Sequence, residues 1–183
     1  MQPSGPLRLV LLTASEADEP LLRFLVDRGH LVGRVAAGGP APSADGVCVL
    51  GSLAAGRSGA LRRALAVRRR VAGFGPAVVV AGPGVDPLVS RIAAAGRARV
   101  LLVDETGAAA GTSGPRRGLL RRWGLSGVAC AIVADDRLAL AVAVSGVAPF
   151  RVLSASTGGS AGPDDVLRRV EALLHIVAAE RTP

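Results

Sequence analysis

Two adjacent acidic residues, Asp104 and Glu105, end an apolar run that has the length of a buried strand. Ligands of α/β proteins bind at the carboxyl ends of such strands. Two carboxylates there can act as a general base or hold a hydroxyl group of a substrate. The alternative is structural, because adjacent loop acids often cap turns or remain solvated. We take this pair as the catalytic candidate, and the neighbouring Thr106 and Gly107 as candidate ligand-binding residues.

A second candidate binding segment follows the valine-rich run at 76–81 and contains Gly82, Gly84 and Asp86. These residues precede a predicted helix, and the N-terminus of a helix can bind an anion. Asp86 also has a simpler explanation, since an acid in the first turn stabilises a helix. The Gly-rich stretches at 111–114 and 156–160 lack the lysine of a phosphate-binding P-loop, so their composition predicts ordinary loops.

Arginine dominates the charge of this chain. All 22 basic residues are Arg, and 14 acidic residues leave a net charge of +8. A predicted helix over 57–73 carries Arg62 and Arg69, seven positions apart, and likewise Arg63 and Arg70, so each pair shares a helix face. Such a face can contact an anion. Nucleic acid is disfavoured because no aromatic residues interleave the arginines to stack bases. The alternative is a solvated face enriched by GC-rich codon usage.

Cysteine and histidine are scarce, which excludes most metal and nucleophilic chemistry. The two cysteines, Cys48 and Cys130, lack the spacing of a zinc site, and each lies in an apolar run. We therefore expect both to be buried free thiols. The two histidines, His30 and His175, are expected to be structural. The sequence accordingly predicts no metal and no cofactor.

Apolar runs of strand length alternate with stretches of helical period along the whole chain. Strands buried on both faces and separated by helices indicate a parallel sheet with right-handed crossovers. The predicted fold is an α/β, Rossmann-like three-layer sandwich with a mostly parallel sheet of about seven strands. The 183 residues suit one domain, with a core over 7–162 and a C-terminal helix over 163–181. The predicted strands are 7–13, 31–36, 46–50 near a sheet edge, 76–81, 99–103, 127–133 and 150–153, and the predicted helices are 18–29, 57–73, 84–96, 115–124, 135–145 and 163–180.

The hydropathy pattern bears on the compartment of the protein. A mean hydropathy of +0.43 excludes a disordered chain. No apolar run reaches the 18 residues expected of a membrane-spanning helix. The apolar run at 7–13 is too short for the core of a signal peptide, and acidic residues follow it at once. We therefore expect a cytoplasmic protein, peripheral to the membrane if the arginine-rich helix binds lipid.

The order of these elements resembles a known family, the N-terminal, acceptor-side domain of GT-B glycosyltransferases. The resemblance is to the retaining, glycogen-synthase-like and mannosyltransferase-like members with a subfamily-4-like N-terminal domain, and it covers nearly the whole chain. Residues 21–37, LLRFLVDRGHLVGRVAA, resemble the first helix ending in RGH and the second strand. LLRRW at 119–123 and VACAIV at 128–133 resemble a later helix and strand, and GVAPFRVL at 146–153 resembles the approach to the last strand. This resemblance implies the fold and a sugar acceptor as ligand. Because membrane-associated members place basic helices of this domain on anionic lipid, it also implies a lipid contact for Arg62, Arg63, Arg69 and Arg70.

The chain also departs from the family pattern at its functional positions. The first loop reads ASEA at 14–17 where the family has a Gly-Gly pair, and nearby carboxylates would repel a diphosphate. The family's histidines after the fourth and fifth strands are replaced by the residues at 80–83 and 104–107. The family's donor-binding domain has no counterpart in these residues. The resemblance therefore transfers no catalytic residue.

These departures lead us to expect a domain that is inactive alone. It would act as half of a split transferase, with a separate donor-domain protein as partner, or as a regulatory pseudo-enzyme. A homodimer is the other expected assembly, because the loops at the carboxyl edge of the sheet would otherwise stay uncovered. The alternative is a small-molecule or nucleotide-binding Rossmann-like module unrelated to glycosyl transfer.

Overall fold

The computed structural model describes the backbone of residues 5–13, 19–36, 45–52, 60–82, 85, 87–94, 99–104, 123, 125–144, 147–148, 151–154 and 163–180. Strands and helices alternate along most of this part of the chain. The strands are β1 (Arg8–Thr13), β2 (Leu31–Ala36), β3 (Val47–Ser52), β4 (Val78–Ala81), β5 (Arg99–Asp104), β6 (Val128–Val133) and β7 (Val152–Ser154). The helices are α1 (Glu19–Asp27), α2 (Ala60–Phe74), α3 (Pro87–Ala94), α4 (Asp136–Val144) and α5 (Pro163–Ala179).

All seven strands form one sheet in the order β3-β2-β1-β4-β5-β6-β7, and every neighbouring pair is parallel. After β1, the chain adds β2 and β3 on one side of it. The chain then returns to the centre of the sheet and adds β4 to β7 on the other side. The direction of winding therefore reverses between β1 and β4. This arrangement confirms the α/β, Rossmann-like architecture predicted from the sequence.

Two apolar cores lie on the two faces of the sheet. Alternate residues of β1 point into opposite cores, Val10 and Leu12 into one and Leu9 and Leu11 into the other. Helices α2, α3 and α4 cover the first face, and α1 and α5 cover the second. Burial on both faces explains why the central strands are continuous apolar runs, since each fully buried leucine contributes about 2 kcal/mol.

The glycine that closes α1 shows how local sequence sets an element boundary. Gly29 has a φ of 81°, which an L side chain rarely adopts, and its N–H donates to the carbonyl of Val26 at 2.8 Å. The next amide, that of His30, donates to the carbonyl of Leu25 at 3.1 Å. These two bonds satisfy carbonyls at the helix end and turn the chain into β2.

One expectation about burial needs correction, and one helix packs through residues that the sequence did not single out. Cys48 is exposed, because it lies on β3 at the edge of the sheet, whereas Cys130 on the interior strand β6 is buried as expected. In α3 the fully buried residues include Ser90, Ala93 and Ala94, and Val89 is only half-buried. Small side chains let α3 approach the sheet and α2 closely, which the apolar periodicity did not reveal. Most of the predicted helix at 115–124 lies outside the described residues.

Candidate functional site

The carboxyl ends of β1 and β4 meet at the point where the winding of the sheet reverses. This point is where open α/β sheets bind ligands, because the loops diverge there and leave a crevice. Gly82 follows β4 directly, is buried, and its N–H donates to the carbonyl of Leu12 at 2.9 Å. Thr13, the last residue of β1, is buried as well. These residues form the described floor of the candidate site.

A buried arginine reaches this edge from the middle of β2. The side chain of Arg34 is only 3% exposed. Its Nε donates to Oγ1 of Thr13 at 3.4 Å, and its Nη1 donates to Oε2 of Glu19 at 3.2 Å. Arg34 thereby joins β2 to the end of β1 and to the first residue of α1.

Glu19 accepts from a second arginine, so among the described residues of this corner two positive charges face one negative charge. Arg23, one turn along α1, donates its Nε to Oε1 of Glu19 at 3.3 Å. Two guanidinium groups therefore share one carboxylate beside the N-terminus of α1, which itself carries partial positive charge. The described charges of this corner favour a hydrogen-bond-accepting ligand, whereas Glu16 and Asp18 in the preceding sequence add negative charge that disfavours a diphosphate. Sequence analysis missed Arg34, and the signal that could have found it is a lone charge inside the apolar run LVGRVA.

The candidate site residues predicted from the sequence lie at this carboxyl edge of the sheet wherever the structure describes them. Asp104 is the last residue of β5 and lies opposite Val133 in the register with β6. Gly82 stands at the corresponding end of the neighbouring strand β4, so the topology brings these two positions to one side of the sheet. The side chain of Asp104 lies outside the described part. So do all atoms of the other acidic, threonine and glycine candidates of these loops: Glu105, Thr106, Gly107, Gly84 and Asp86.

The arginine-rich helix is α2, and its described arginines differ in role. Arg69 is exposed. Arg70 donates its Nη1 to the carbonyl of Leu50 at 3.0 Å, next to Gly51, whose missing Cβ leaves space for the guanidinium. Arg70 thus ties α2 to the edge strand β3. The side chains of Arg62 and Arg63 lie outside the described part. None of the described helices is long and apolar enough to span a membrane.

A second polar cluster lies at the opposite, amino-terminal edge of the sheet. His30 is 5% exposed, and its Nδ1 accepts the backbone N–H of Leu7 at 3.1 Å. Its Nε2 lies 3.4 Å from Oε1 of Glu171 on α5. Arg28 donates its Nε to both carboxylate oxygens of Glu171, at 3.0 and 3.1 Å. This cluster connects α5 to the turn between α1 and β2.

The charges and burial of the cluster shift the pKa values of its members. Burial alone would raise the pKa of Glu171, but the hydrogen bond and charge of Arg28, together with His30, bring that pKa below its usual value. The hydrogen bond and charge of Glu171 raise the pKa of Arg28. His175 lies beside His30, with ring centroids 5.6 Å apart, and burial followed by the charge of His30 lowers the pKa of His175.

The same residues contain a donor set that could in principle hold a metal ion. One ligand atom each from His30, Glu171 and His175 lie within 4.8 Å of one another. The hydrogen bonds oppose that use. Because Nδ1 of His30 accepts an N–H, neutral His30 carries its proton on Nε2, which leaves no lone pair there for a metal. The guanidinium of Arg28 also occupies the carboxylate of Glu171 and repels a cation. We therefore interpret the cluster as structural.

Comparison with solved structures shows a likeness in fold. No family model matches the chain, and no curated protein matches it. Among solved structures, the chain is similar to a UDP-GlcNAc 2-epimerase from Methanocaldococcus jannaschii, with 15% sequence identity and a TM-score of 0.57. The match covers 97% of this chain and 50% of that one, so the chain spans about half the length of the enzyme. An identity this low shows the fold alone. The sheet topology and this likeness together support an α/β Rossmann-like protein with a GT-B-like fold.

Proposed function

We propose that these residues form the acceptor-side half of a two-domain sugar-nucleotide enzyme of the GT-B type. The observation that carries the proposal is the structural likeness, in which 97% of this chain matches 50% of a UDP-GlcNAc 2-epimerase. A second Rossmann-like domain would hold the nucleotide and close a cleft over the carboxyl edge of this sheet. The chain by itself is then inactive, as half of a split transferase or as a regulatory pseudo-enzyme.

The geometry of the carboxyl edge supports this assignment. Gly82 places a residue without a side chain directly after β4. Arg34 and Arg23 bring positive charge to the neighbouring corner of β1 and α1. In the proposed role this edge binds the hydroxyl groups of a sugar acceptor. Asp104 and Glu105 remain the proposed acidic pair, with one carboxylate accepting a proton or a hydrogen bond from an acceptor hydroxyl.

A ligand titration followed by NMR tests the proposal. We expect sugars to shift the backbone amide signals of Thr13 and Gly82, and we expect UDP to bind weakly or not at all. Gly82→Val should abolish the sugar shifts. Gly73→Ala is the matched control, because Gly73 is exposed on α2 with nothing within 4 Å of an added Cβ. Sugar shifts that are absent, or confined to other parts of the sheet, would contradict an acceptor site at this edge.

Turnover provides the second arm of the test. The purified chain should release no free nucleotide from UDP-GlcNAc above a control without protein. Release that disappears in Asp104→Asn or Glu105→Gln would overturn the proposed inactivity and would make the acidic pair catalytic.

The reversal of winding between β1 and β4 also favours a second candidate, a small-molecule or nucleotide-binding module that works alone. Domains of this topology bind mononucleotides at the same crevice without a partner domain. The titration distinguishes the two functions. Tight binding of UDP or another nucleotide at Thr13 and Gly82, with no response to sugars, would favour the independent binding module.

A further inference from the structure

A cavity of about 350 Å³ opens at the carboxyl ends of β6 and β7, away from the site between β1 and β4. It is lined by Ile132, Leu153 and Ser154 of the sheet and by Val166, Arg169, Ala172 and Leu173 of α5. The midpoint between β6 and β7 lies three strand spacings from the midpoint between β1 and β4, which is a distance of about 14 Å. The volume lies at the lower end of the range for small-molecule sites.

The cavity follows from how α5 crosses the sheet. Ile132 and Leu153 are partners in the register of β6 and β7, so their side chains share the face toward α5. Helix α5 packs on β4, β5 and β6, whereas the main helical contact of β7 is with α4 on the opposite face. The edge strand β7 has only three residues, and its Leu153 stays 44% exposed. Space therefore remains between β7 and the first half of α5.

The chemistry of the lining indicates the kind of ligand. Five of the seven lining residues are apolar, and the two polar ones are Arg169, which is exposed, and Ser154, which is half-buried. The guanidinium of Arg169 has five N–H donors, so it can hold an acidic group in addition to another partner.

We propose that this cavity binds a small amphiphilic carboxylate, with its apolar chain between β7 and α5 and its carboxylate on Arg169. The ligand class is that of medium-chain acyl acids. This site does not depend on the function proposed above, because it lies on other strands and uses other residues.

Isothermal titration calorimetry with decanoate, below its micelle concentration, tests the proposal on the full chain. We expect one saturable site. Ala172→Phe should weaken binding about tenfold or more by filling the cavity. Ala179→Phe is the matched control, since Ala179 is also exposed on α5 and lies two helical turns further on. It should bind decanoate like the unmodified chain.

The head group is tested separately. Arg169→Gln should weaken decanoate binding several-fold and leave decanol binding unchanged, because only decanoate carries the charge. Leu153→Gln provides a second variant of the apolar wall at an exposed edge position, should Ala172→Phe fail to fold by circular dichroism. It too should weaken binding of both ligands. Absence of saturable binding, equal loss in Ala172→Phe and Ala179→Phe, or full binding in both cavity variants would overturn the site. An equal effect of Arg169→Gln on decanoate and decanol would overturn the acidic head group.

Discussion

At the residue scale, Glu19 forms one ion pair with a buried arginine and another with an exposed arginine. Glu19 pairs with Arg34, whose side chain is 3% exposed, and with Arg23, whose side chain is 75% exposed. Arg34→Met should lower the free energy of unfolding by about 2 kcal/mol, because it removes the hydrogen bonds of a buried guanidinium to Thr13 and Glu19. Arg23→Gln should cost about 0.5 kcal/mol or less, since water screens that pair. Urea unfolding of both variants measures the difference, and equal losses would contradict the role of Arg34.

A second prediction at this scale concerns acid stability. The pKa of His175 is lowered from its usual 6.5, so the unfolded chain binds more protons than the folded one as pH falls below that value. The pKa of Glu171 is lowered from its usual 4.5, so its contribution is present above that value and is lost as pH falls further. Both groups therefore make the fold less stable in acid.

The urea concentration at the midpoint of unfolding, measured as a function of pH, should fall in two separate steps. His175→Gln should remove the loss that begins below about pH 6.5 and retain the loss below about pH 4.5. Glu171→Gln should remove the lower step, and it should also destabilise the fold at neutral pH, because Arg28 and His30 lose their common partner. A pH profile of His175→Gln identical to that of the unmodified chain would contradict the assignment.

At the element scale, helix α2 has adjacent arginines with different tasks. Arg70 donates to the carbonyl of Leu50 on β3, and Arg69 is exposed. Arg70→Gln should lower the free energy of unfolding by about 1 kcal/mol through the lost hydrogen bond. Arg69→Gln should leave stability unchanged and should weaken binding to anionic vesicles, to which each arginine near the surface contributes about 1 kcal/mol.

Sedimentation with phosphatidylserine-containing vesicles at low and high salt measures the lipid part of this prediction. Arg62 and Arg63 belong to the same proposed lipid face, and their glutamine variants should weaken binding in the same direction. Vesicles of phosphatidylcholine alone are the control. Equal binding to both vesicle types, or no effect of any of these substitutions, would exclude lipid association through α2.

At the scale of the whole molecule, the described surface includes an apolar face that a monomer would leave in water. On α4, Leu140 is 67% exposed and Val144, one turn later, is 73% exposed. These two side chains form an exposed apolar patch that a second copy can cover, next to the exposed Arg137 on the same side of α4. We expect self-association that increases with concentration, which Leu140→Glu should reduce. Leu65→Glu on α2, at a position 42% exposed, is the control. Light scattering that reports one monomeric mass at every concentration would contradict the expectation.

The sequence by itself determined the elements and their class. Apolar runs such as RLVLLT in β1 and VACAIV in β6 are readable because strands buried on both faces need no polar alternation. Helix α5 was readable from the apolar spacing of Val166, Val170, Leu173, Leu174 and Val177. Val170, Leu174 and Val177 are buried, and Val166 and Leu173 are half-buried. The edge position of β3 was predicted from the shortness of the apolar run at 46–50. The exposure of Cys48 was not predicted. These are local properties, since hydrophobic period and turn residues act over a few positions.

Only the tertiary structure decided the strand order and the contacts between distant residues. The reversal between β1 and β4, which positions Gly82 beside Leu12, depends on how whole βα units pack rather than on any local pattern. His30 and Glu171 meet although 141 positions separate them, and Arg34 finds Thr13 across neighbouring strands. A buried charge is stable only where a partner completes its hydrogen bonds, and packing of the complete sheet determines where that partner lies.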